Sequence, residues 1–424
     1  MSSALKLYPH QIEALKMAEG KENVAFYHDM GLGKTFTGAE QLIRYGKDVN
    51  LIICQKSKVD DWLDHFRTVY GFTEIYNLTD KKDYEGFLNK VGWYSMIGII
   101  NYELVFRRPE LLKLRNFTLL LDESSMIQNE KAKRSKFIMK MKPAHVIMLS
   151  GTPTGGKYEN LYSQLKLLGM PLTKAAYYNT YINYHFEDYG IGARVLTVDG
   201  YKNVDRLKRK MRFYGCQFLK TGDVMDLPEQ IFTKVRVEQS KEYKKFLKTS
   251  VITVNDTELV GDNSLNKMLY LRQLCSHYSK AKLQAFEDIL RSTNDRLIVF
   301  YNFTAELIEL ECIAEKCDRP MSLINGQAKM LEAYENKSNS VTFIQYQAGA
   351  MGLNLQKANK IIYFSPPLSS ELYEQSKKRI HRIGQSKSCY YYNMVVKGSI
   401  EEKIYRTLLK RENYTNKLFE EDGY

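Results

Sequence analysis

The sequence predicts an α/β protein of two tandem lobes, each a mostly parallel sheet flanked by helices. Short β-branched or aromatic runs alternate with helical stretches, which is the pattern of parallel strands joined by helical crossovers. This alternation occurs twice along the 424 residues. A chain of that length exceeds one compact core and suits two α/β domains of ordinary size.

The strand-like runs fall into two sets separated by a less regular segment. The runs of the first half are residues 24–27, 51–54, 96–100, 117–121 and 145–149. Those of the second half are residues 297–301, 321–324, 341–346, 360–364 and 390–396. The segment from about 170 to 262 contains Asp226-Leu-Pro228 and the polar stretch 255–263. We therefore expect lobe 1 at residues 1–226, an interlobe segment at 227–263 and lobe 2 at 264–424.

The C-terminal segment has the pattern of an amphipathic helix. Ser399-Ile-Glu-Glu402 reads as a capping box, in which the serine and the last glutamate would satisfy backbone N–H groups at a helix start. Apolar residues at 400, 404, 408 and 409 then form a stripe along one helical face. We expect this helix to pack on one of the lobes.

The chain carries a net charge of +13. An excess of this size indicates a polyanionic partner, because Lys and Arg near phosphates release condensed counterions. A generally cationic surface is the alternative. The six cysteines are scattered and only Cys312 and Cys317 are close, with no histidine at zinc-finger spacing. A reducing compartment and no structural metal site are therefore expected.

The N-terminus and the hydropathy pattern predict a soluble intracellular protein without a membrane partner. The first ten residues, MSSALKLYPH, lack the apolar core of a signal peptide, and no apolar run reaches transmembrane length. We expect a cytoplasmic protein of a bacterial or phage-infected cell, or a nuclear one if the source is eukaryotic.

A candidate phosphate loop, His28-Asp-Met-Gly-Leu-Gly-Lys-Thr35, follows the first strand run and precedes a helical stretch. Gly31 and Gly33 would let the backbone turn its N–H groups toward nucleotide phosphates. Lys34 would reach the β- and γ-phosphates and Thr35 would ligate Mg²⁺. The run begins with histidine where the strict pattern has glycine, so a plain helix start is the alternative. The candidate nucleotide contacts are Met30, Gly31, Leu32, Gly33, Lys34 and Thr35.

An apolar strand at 117–121 leads into the paired acids Asp122 and Glu123. A buried strand would deliver Asp122 to a metal ion, through water, at the carboxyl edge of the sheet. Glu123 is then placed to polarise the attacking water. Two acids that cap the following helix are the alternative. The phosphate loop upstream in the same α/β pattern favours catalysis.

Two further segments are candidates for completing the site. Ser150-Gly-Thr-Pro153 follows another strand run, and the hydroxyls of Ser150 and Thr152 could bridge the γ-phosphate region to the neighbouring lobe. An ordinary turn is the alternative. In the second half, Gln375, Arg379 and Arg382 would share one face if this segment is helical. Two guanidiniums there could neutralise transition-state charge; a solvated basic helix is the alternative.

These segments, in this order, resemble the Swi/Snf-type ATPases of helicase superfamily 2, a DEAD/DEAH-like group. In the first half the similar segments are 7–11 (glutamine motif), 29–35 (motif I), 51–57 with Trp62 and Phe66 (motif Ia), 100–104 (motif Ib), 122–125 with Gln128 and Asn129 (motif II) and 149–153 with Leu161 and Tyr162 (motif III). In the second half they are 269–276 (the LRQ-C helix), 297–303 (motif IV), 349–355 (motif V) and 375–385, which ends in His-Arg-Ile-Gly-Gln.

The resemblance implies two RecA-like lobes with ATP and Mg²⁺ bound in the cleft between them. It implies that Gln11 reads adenine and that Gly352 and Asn354, in the motif V-like segment, also contact the nucleotide. Closure of the lobes would assemble the site and hydrolysis would reopen it, so that each cycle moves the lobes along a backbone. The expected nucleic-acid contacts are Lys56, Ser57, Asn101, Tyr102, Asn302, Gly326 and Gln347.

The chain also departs from the family pattern. Ser125 stands where the family usually has a histidine that couples hydrolysis to the second lobe. Gln347 and residues 217–220 replace positions that are commonly basic. These changes affect coupling and some phosphate contacts, whereas the ATPase core that the resemblance implies is intact: Lys34, Asp122, Glu123, Arg379 and Arg382.

The predicted function is ATP-driven translocation on double-stranded DNA that remodels DNA or protein–DNA complexes. Binding through phosphate contacts would be sequence-independent and salt-sensitive. A strand-separating DNA or RNA helicase is one alternative, and a non-catalytic nucleic-acid clamp is another. The compactness favours a bacterial or bacteriophage protein. We expect a monomer, because one chain contains both halves of the ATP site.

Overall fold

The computed structural model describes residues 6–188, 194–349 and 353–419. The chain divides into two compact units. Unit 1 covers Met1–Met225 together with Asn413–Tyr424, and unit 2 covers Asp226–Glu412. Each unit is built on its own seven-stranded sheet. Among the described residues, no helix combines the length and the apolar character needed to cross a membrane.

Unit 1 contains a fully parallel sheet in the order β3-β4-β2-β5-β6-β1-β9 and a separate hairpin, β7–β8. Its strands are β1 Asn23–His28, β2 Val49–Cys54, β3 Ile75–Asn77, β4 Met96–Asn101, β5 Thr118–Asp122, β6 His145–Leu149, β7 Ile182–Asp188, β8 Arg194–Tyr201 and β9 Cys216–Leu219. Its helices are α1 Pro9–Met17, α2 Lys34–Tyr45, α3 Val59–Tyr70, α4 Lys81–Lys90, α5 Lys133–Ile138, α6 Tyr162–Leu167, α7 Lys174–Tyr181, α8 Val204–Phe213 and α9 Thr221–Val224. Short 3₁₀ turns lie at Lys56–Lys58, Val105–Arg107, Pro109–Lys113, Ser124–Ile127 and Tyr158–Leu161.

The strands of unit 1 are apolar along their length because helices cover both faces of the sheet. Every residue of β2 and β4 is buried. One hydrophobic cluster lies on each face, and the strand residues alternate between the two clusters. The five strand runs predicted for the first half are confirmed as β1, β2, β4, β5 and β6. The sequence reading missed β3 and β9, which are short strands at the two edges of the sheet.

Unit 2 has a sheet in the order β10-β18-β17-β13-β16-β14-β15, parallel except for the last pair, and a second hairpin, β11–β12. Its strands are β10 Gln230–Val237, β11 Val251–Val254, β12 Thr257–Val260, β13 Leu297–Tyr301, β14 Met321–Ile324, β15 Lys329–Met330, β16 Val341–Gln345, β17 Lys360–Tyr363 and β18 Cys389–Val396. Its helices are α10 Lys241–Thr249, α11 Ser264–Leu274, α12 Lys280–Ser292, α13 Thr304–Lys316, α14 Glu332–Asn336, α15 Tyr346–Gly349, α16 Ser370–Lys377 and α17 Ile400–Phe419, of which residues 400–412 belong to unit 2. The five strand runs predicted for the second half are confirmed as β13, β14, β16, β17 and β18. Together the two sheets confirm the predicted α/β class.

Residues 227–263 are part of unit 2 and not the separate interlobe segment that we expected from sequence. Within them, β10 pairs in parallel with β18 over its whole length, from Gln230 opposite Cys389 to Val237 opposite Val396. The following α10 packs with the β11–β12 hairpin and α11 in one small hydrophobic cluster. The sequence reading missed β10 because an edge strand that is partly exposed lacks a continuous apolar run.

The C-terminal helix α17 packs on unit 2, as predicted, through Ile404 and Leu408. Its start differs in detail from the predicted capping box. The Ser399 hydroxyl accepts a hydrogen bond from the N–H of Glu401 at 3.1 Å. The acid that accepts a backbone hydrogen bond at the helix start is Glu401 and not the predicted Glu402. Its donor is the N–H of Val396, at 3.0 Å.

Glu401 also forms a buried ion pair with Lys282 of α12. Lys282 Nζ lies 2.6 Å from Glu401 Oε1, and both side chains are inaccessible to solvent. Burial raises the pKa of Glu401, and the charge of Lys282 opposes that effect. Because each charge is desolvated, each depends on the other.

We predict that Glu401→Gln destabilises unit 2 by about 3 kcal/mol, because it leaves the Lys282 ammonium buried without its counter-charge. The double variant Lys282→Met/Glu401→Gln should recover most of this loss, since neither charge of the pair is then left buried without its partner. Urea-induced unfolding of the full chain measures both. A double variant no more stable than the single one would contradict the prediction.

Candidate nucleotide site

The candidate site of unit 1 lies where β5, β6 and β1 end. These strands are neighbours in the sheet and all parallel, so their carboxyl ends share one edge. The phosphate loop follows β1, the paired acids end β5, and Ser150–Pro153 follows β6. The loops after β1 and β6 touch, because a Cβ built on Gly151 would lie 3.1 Å from Cγ of Met30. The structure therefore brings the predicted unit 1 machinery together.

The phosphate loop has the backbone that its glycines were expected to permit. Gly31 and Gly33 have φ of +89° and +69°, in the left-handed region, and α2 begins directly afterwards at Lys34. A Cβ on Gly33 would lie 2.4 Å from Nε2 of Gln11, so the loop has no room for a side chain there. The ammonium of Lys34 donates to the carbonyl oxygens of His28 at 2.9 Å and Asp29 at 3.1 Å.

Gln11 braces this loop from α1. Its Oε1 accepts from the N–H of Tyr8 at 2.8 Å, and its Nε2 donates to the Gly33 carbonyl at 3.1 Å. The side chain is 2% exposed. The structure thus gives Gln11 a positioning role on the phosphate loop, whereas its reading of adenine stays a prediction.

His28 replaces the first glycine of the strict loop pattern without adding charge. The ring is buried, and burial together with the nearby Lys34 lowers its pKa to about 3. His28 is therefore neutral near pH 7. The positive charge at this end of β1 comes from Lys34.

Asp122 is held by a tryptophan whose contribution the sequence reading missed. The indole Nε1 of Trp62, on α3, donates to Asp122 Oδ2 at 2.9 Å. Burial raises the pKa of Asp122, while the hydrogen bond from Trp62 and the charge of Lys34 oppose that rise. Trp62 therefore fixes the orientation of the carboxylate and favours its charged form.

Glu123 adopts a strained backbone that Tyr102 supports. Its φ of 53° and ψ of 61° lie in the left-handed region, which is sterically unfavourable for a residue with a Cβ. The Tyr102 hydroxyl donates to the carbonyl of Asp122 at 2.9 Å. The Ser150 hydroxyl lies 3.5 Å from Glu123 Oε2 and donates to it. The general-base candidate is thus held by residues that directly follow β4 and β6.

Two predicted nucleic-acid contacts in unit 1 are wrong. Tyr102 is fully buried and bonds to the paired-acid segment, and Asn101 is buried with its amide donating to Glu103 at 2.9 Å. Asn101 ends β4, a strand covered on each face, and Tyr102 directly follows it; the sequence motif does not show this burial. Lys56 and Ser57 are exposed in the turn after β2, so they stay available as predicted contacts.

The predicted nucleic-acid contacts of unit 2 also differ in whether they are available to a ligand. The amide of Asn302 donates to the Ser365 hydroxyl at 2.7 Å and to the Pro366 carbonyl at 3.1 Å, so it holds two loops of unit 2 together instead of being free for a phosphate. Gly326 and Gln347 are exposed and stay predictions.

The predicted arginine helix is wrong in its geometry. Helix α16 ends at Lys377, and Arg379 and Arg382 lie in the turns that follow. The helix stops because the chain turns to bond elsewhere: the carbonyl of Arg379 accepts from the N–H of Leu355 at 3.1 Å. Gln375 remains in α16, where it is buried beside Glu371.

The two arginines differ in exposure. Arg379 is 3% exposed, whereas Arg382 is half-buried and its guanidinium lies 3.5 Å from the carbonyl of Leu353. Burial lowers the pKa of Arg382. The structure therefore brings both arginines to the segment that carries Asn354, which is exposed. Gly352, the other predicted contact here, lies outside the described residues.

The unit 1 site fits a nucleotide phosphate and Mg²⁺. The loop around Gly33 accepts no Cβ, which leaves its backbone open to close approach. The Thr35 hydroxyl and the Asp122 carboxylate are hard oxygen donors of the kind Mg²⁺ prefers. Across the described residues no group of three or more His, Cys, Asp or Glu could hold a metal ion. A bound Mg²⁺ would take its remaining ligands from nucleotide phosphates and water, as it commonly does.

A cavity of 1690 Å³ adjoins the phosphate loop in unit 1. It lies between α1 and the edge strand β9, and His28 forms part of its wall. Its cationic lining residues are Lys21, Arg209, Arg212 and Lys220, and its acidic ones are Glu13 and Asp223.

We predict that Trp62→Phe raises the Mg²⁺ concentration needed for half-maximal ATP hydrolysis by about tenfold or more. Losses of this size are typical when a residue that hydrogen-bonds to a metal ligand is removed. Loss of the indole N–H removes a bond that favours the Asp122 carboxylate, so the pKa of Asp122 rises. The acid limb of the pH–rate profile then moves to higher pH, because a lower fraction of Asp122 is charged at each pH.

The matched control is Trp93→Phe, since Trp93 is the other tryptophan of the chain and is 79% exposed. It should leave both measurements unchanged. A Trp62→Phe protein with normal Mg²⁺ dependence and a normal pH profile would refute the role of the indole.

We predict that Gly33→Ala weakens ATP binding by about tenfold, because the added Cβ displaces Gln11 and strains the loop by about 1–2 kcal/mol. Gly46→Ala is the control at the other end of α2. Gly46 has φ of +60° and nothing within 4 Å of its would-be Cβ, so the variant carries similar strain without the contact. Titration with a fluorescent ATP analogue measures both, and equal losses would contradict the prediction.

Comparison with known proteins shows which families the two halves of the chain resemble. Residues 10–280 match the SNF2-related domain, and residues 281–384 match the helicase conserved C-terminal domain. The DNA repair and recombination protein RAD26 of Saccharomyces cerevisiae is 26% identical over 92% of this chain and 39% of its own length. The putative ATP-dependent helicase/translocase YwqA of Bacillus subtilis is 24% identical over 93% of this chain and 46% of its own length.

The similarity extends to a vertebrate relative and to a solved structure. The RAD54-like DNA repair and recombination protein of Gallus gallus is 24% identical over 97% of this chain and 68% of its own length. The Sulfolobus solfataricus SWI2/SNF2 ATPase core in complex with dsDNA has 19% identity and a TM-score of 0.47, covering 98% of this chain and 93% of that one. The chain spans about two fifths of the length of RAD26. Because the SNF2-related domain matches well over half of its residues, the chain belongs to the SNF2-related domain family.

Proposed function

We propose that the chain is an ATP-hydrolysing motor that translocates on double-stranded DNA. Binding of this DNA stimulates its ATP hydrolysis. The observation that carries the proposal is the arrangement at one sheet edge of Lys34, Asp122 and Glu123 in a member of the SNF2-related domain family. Each of these groups is held by hydrogen bonds or by its position at the end of a strand, so the site needs little rearrangement to bind a nucleotide.

The residues of unit 1 have distinct roles in this proposal. The backbone of the glycine loop and Lys34 bind the β- and γ-phosphates. Thr35 and Asp122 hold Mg²⁺, which when bound neutralises phosphate charge. Glu123 accepts a proton from the attacking water, and the Ser150 hydroxyl keeps its carboxylate oriented. The cavity beside α1 receives the base and sugar.

Residues of unit 2 complete the proposal. Arg379 and Arg382 supply positive charge that offsets the charge developing on the phosphate, an effect worth about 10³–10⁵ in rate when it operates. Asn354 and Gly352 are assigned to contact the nucleotide, and Gln375 is assigned to coupling. These assignments rest on the family pattern and on the bonds that hold Arg379 and Arg382 beside Leu353–Leu355.

Duplex DNA is the proposed track. RAD26 and the RAD54-like protein are both named for DNA repair and recombination, and YwqA is named a helicase/translocase. The net charge of +13 favours a polyanion. Lys56 and Ser57 in unit 1 and Gly326 and Gln347 in unit 2 are exposed, and we propose that they meet the backbone without reading bases.

The test is steady-state ATP hydrolysis without nucleic acid and then with duplex DNA, single-stranded DNA or RNA. We expect strong stimulation by duplex DNA. Glu123→Gln should lower the stimulated rate by at least about a hundredfold, because it removes the general base and keeps the side-chain shape. Binding of nucleotide by the variant confirms that its site is folded.

The nucleic acid that stimulates decides between the alternatives. Stimulation by RNA or single strands alone would favour a strand-separating helicase, and a labelled-strand displacement assay would then show unwinding. Nucleic-acid binding without any hydrolysis would favour a non-catalytic clamp. Either result would overturn the duplex-DNA translocase.

A further inference from the structure

A buried glutamine on α6 joins the three loops of the candidate nucleotide site. Gln164 Oε1 accepts from the Tyr27 hydroxyl at 2.9 Å and from the Ser124 hydroxyl at 2.8 Å. Its Nε2 donates to the Pro153 carbonyl at 2.8 Å. The partners fix which end of the amide is which, because a carbonyl can only accept and must face the nitrogen. One side chain therefore connects the ends of β1, β5 and β6.

Each partner of Gln164 is the direct chain neighbour of a residue assigned to the site. His28, which follows Tyr27, accepts a hydrogen bond from Lys34 through its carbonyl. Glu123, which precedes Ser124, is the general-base candidate. Thr152, which precedes Pro153, belongs to the predicted coupling segment. A displacement of any one loop must therefore stretch a bond to Gln164 or move the other two loops with it.

The surroundings of Gln164 make these bonds costly to lose. The side chain is 0% exposed, as are those of Tyr27 and Ser124. Buried polar atoms without a partner are strongly unfavourable, because water cannot replace the lost bond. The three loops are thus held in one relative arrangement unless the whole group shifts together.

We propose that Gln164 is a positioning residue through which the Ser150–Pro153 loop is coupled to the phosphate loop and the paired acids, so that DNA binding accelerates hydrolysis. The inference rests on the proposed ATPase function. A role in packing alone would affect hydrolysis equally with and without DNA, whereas a coupling role affects mainly the acceleration by DNA.

The test is ATP hydrolysis by Gln164→Met with and without duplex DNA. Methionine keeps the length of the side chain and removes every hydrogen bond. We expect the rate with saturating DNA to fall about tenfold, within the range measured for coupling residues. The DNA-independent rate should fall by a much smaller factor, so that the ratio of the stimulated to the basal rate decreases. The control is Asn50→Leu, which removes a buried amide at the amino end of β2, on the opposite edge of the same sheet.

Smaller changes test the same role if Gln164→Met folds poorly. Tyr27→Phe and Ser124→Ala each delete one hydroxyl that bonds to Gln164, and each should lower DNA stimulation with little loss of the basal rate. Combined with Gln164→Met, Ser124→Ala should add almost nothing further, because the bond it removes is already gone.

The outcomes separate this inference from the proposed function. A wild-type protein that no nucleic acid stimulates overturns the proposed function and this inference with it. If DNA stimulates the wild type, equal losses of basal and stimulated rates in Gln164→Met and in both hydroxyl variants overturn the role of Gln164 alone. Unchanged stimulation by DNA in all three variants would also overturn the role of Gln164.

Discussion

The backbone ladder that joins β5, β6 and β1 determines where the functional loops of unit 1 can lie. Parallel pairing sets the carboxyl ends of these strands side by side, and helices cover both faces of the sheet. The phosphate loop, the paired acids and the Ser150–Pro153 loop can therefore extend only from that edge. Their closeness follows from strand pairing, although up to a hundred and twenty residues of chain separate them.

Burial then decides how these loops are held. Asp122 is oriented by an indole, the backbone of Glu123 is supported by Tyr102, and the phosphate loop is braced by Gln11. Each of these groups is largely out of water, so each bond that is lost leaves a polar atom that nothing else can satisfy. The site is therefore arranged before a nucleotide arrives, which lowers the reorganisation that binding requires.

The sequence predicted the features that depend on local residue pattern. The predictions failed where hydrogen bonds or burial in the tertiary structure determine the conformation. Apolar runs located the central strands, and glycine spacing located a loop whose Gly33 does adopt positive φ. Helical periodicity failed at Arg379, because its carbonyl bonds to Leu355 and the helix has already ended. The motif around Tyr102 suggested a surface contact, but no local signal shows that its ring is buried beneath the paired acids. Gln164 belongs to no motif, since its partners come from three distant segments.

The serines after the paired acids show how this chain departs from its family without losing a connection between loops. Ser125, in place of the usual histidine, is buried. Its neighbour Ser124 bonds to Gln164, and Gln164 bonds to the Pro153 carbonyl. A path of two hydrogen bonds thus links the acid that would activate water to the loop assigned to coupling. Because the same glutamine bonds to Tyr27 at the base of the phosphate loop, the path also includes the nucleotide-binding end of β1. These hydrogen bonds are therefore a means, other than the family's histidine, by which these loops can be held in fixed relative positions.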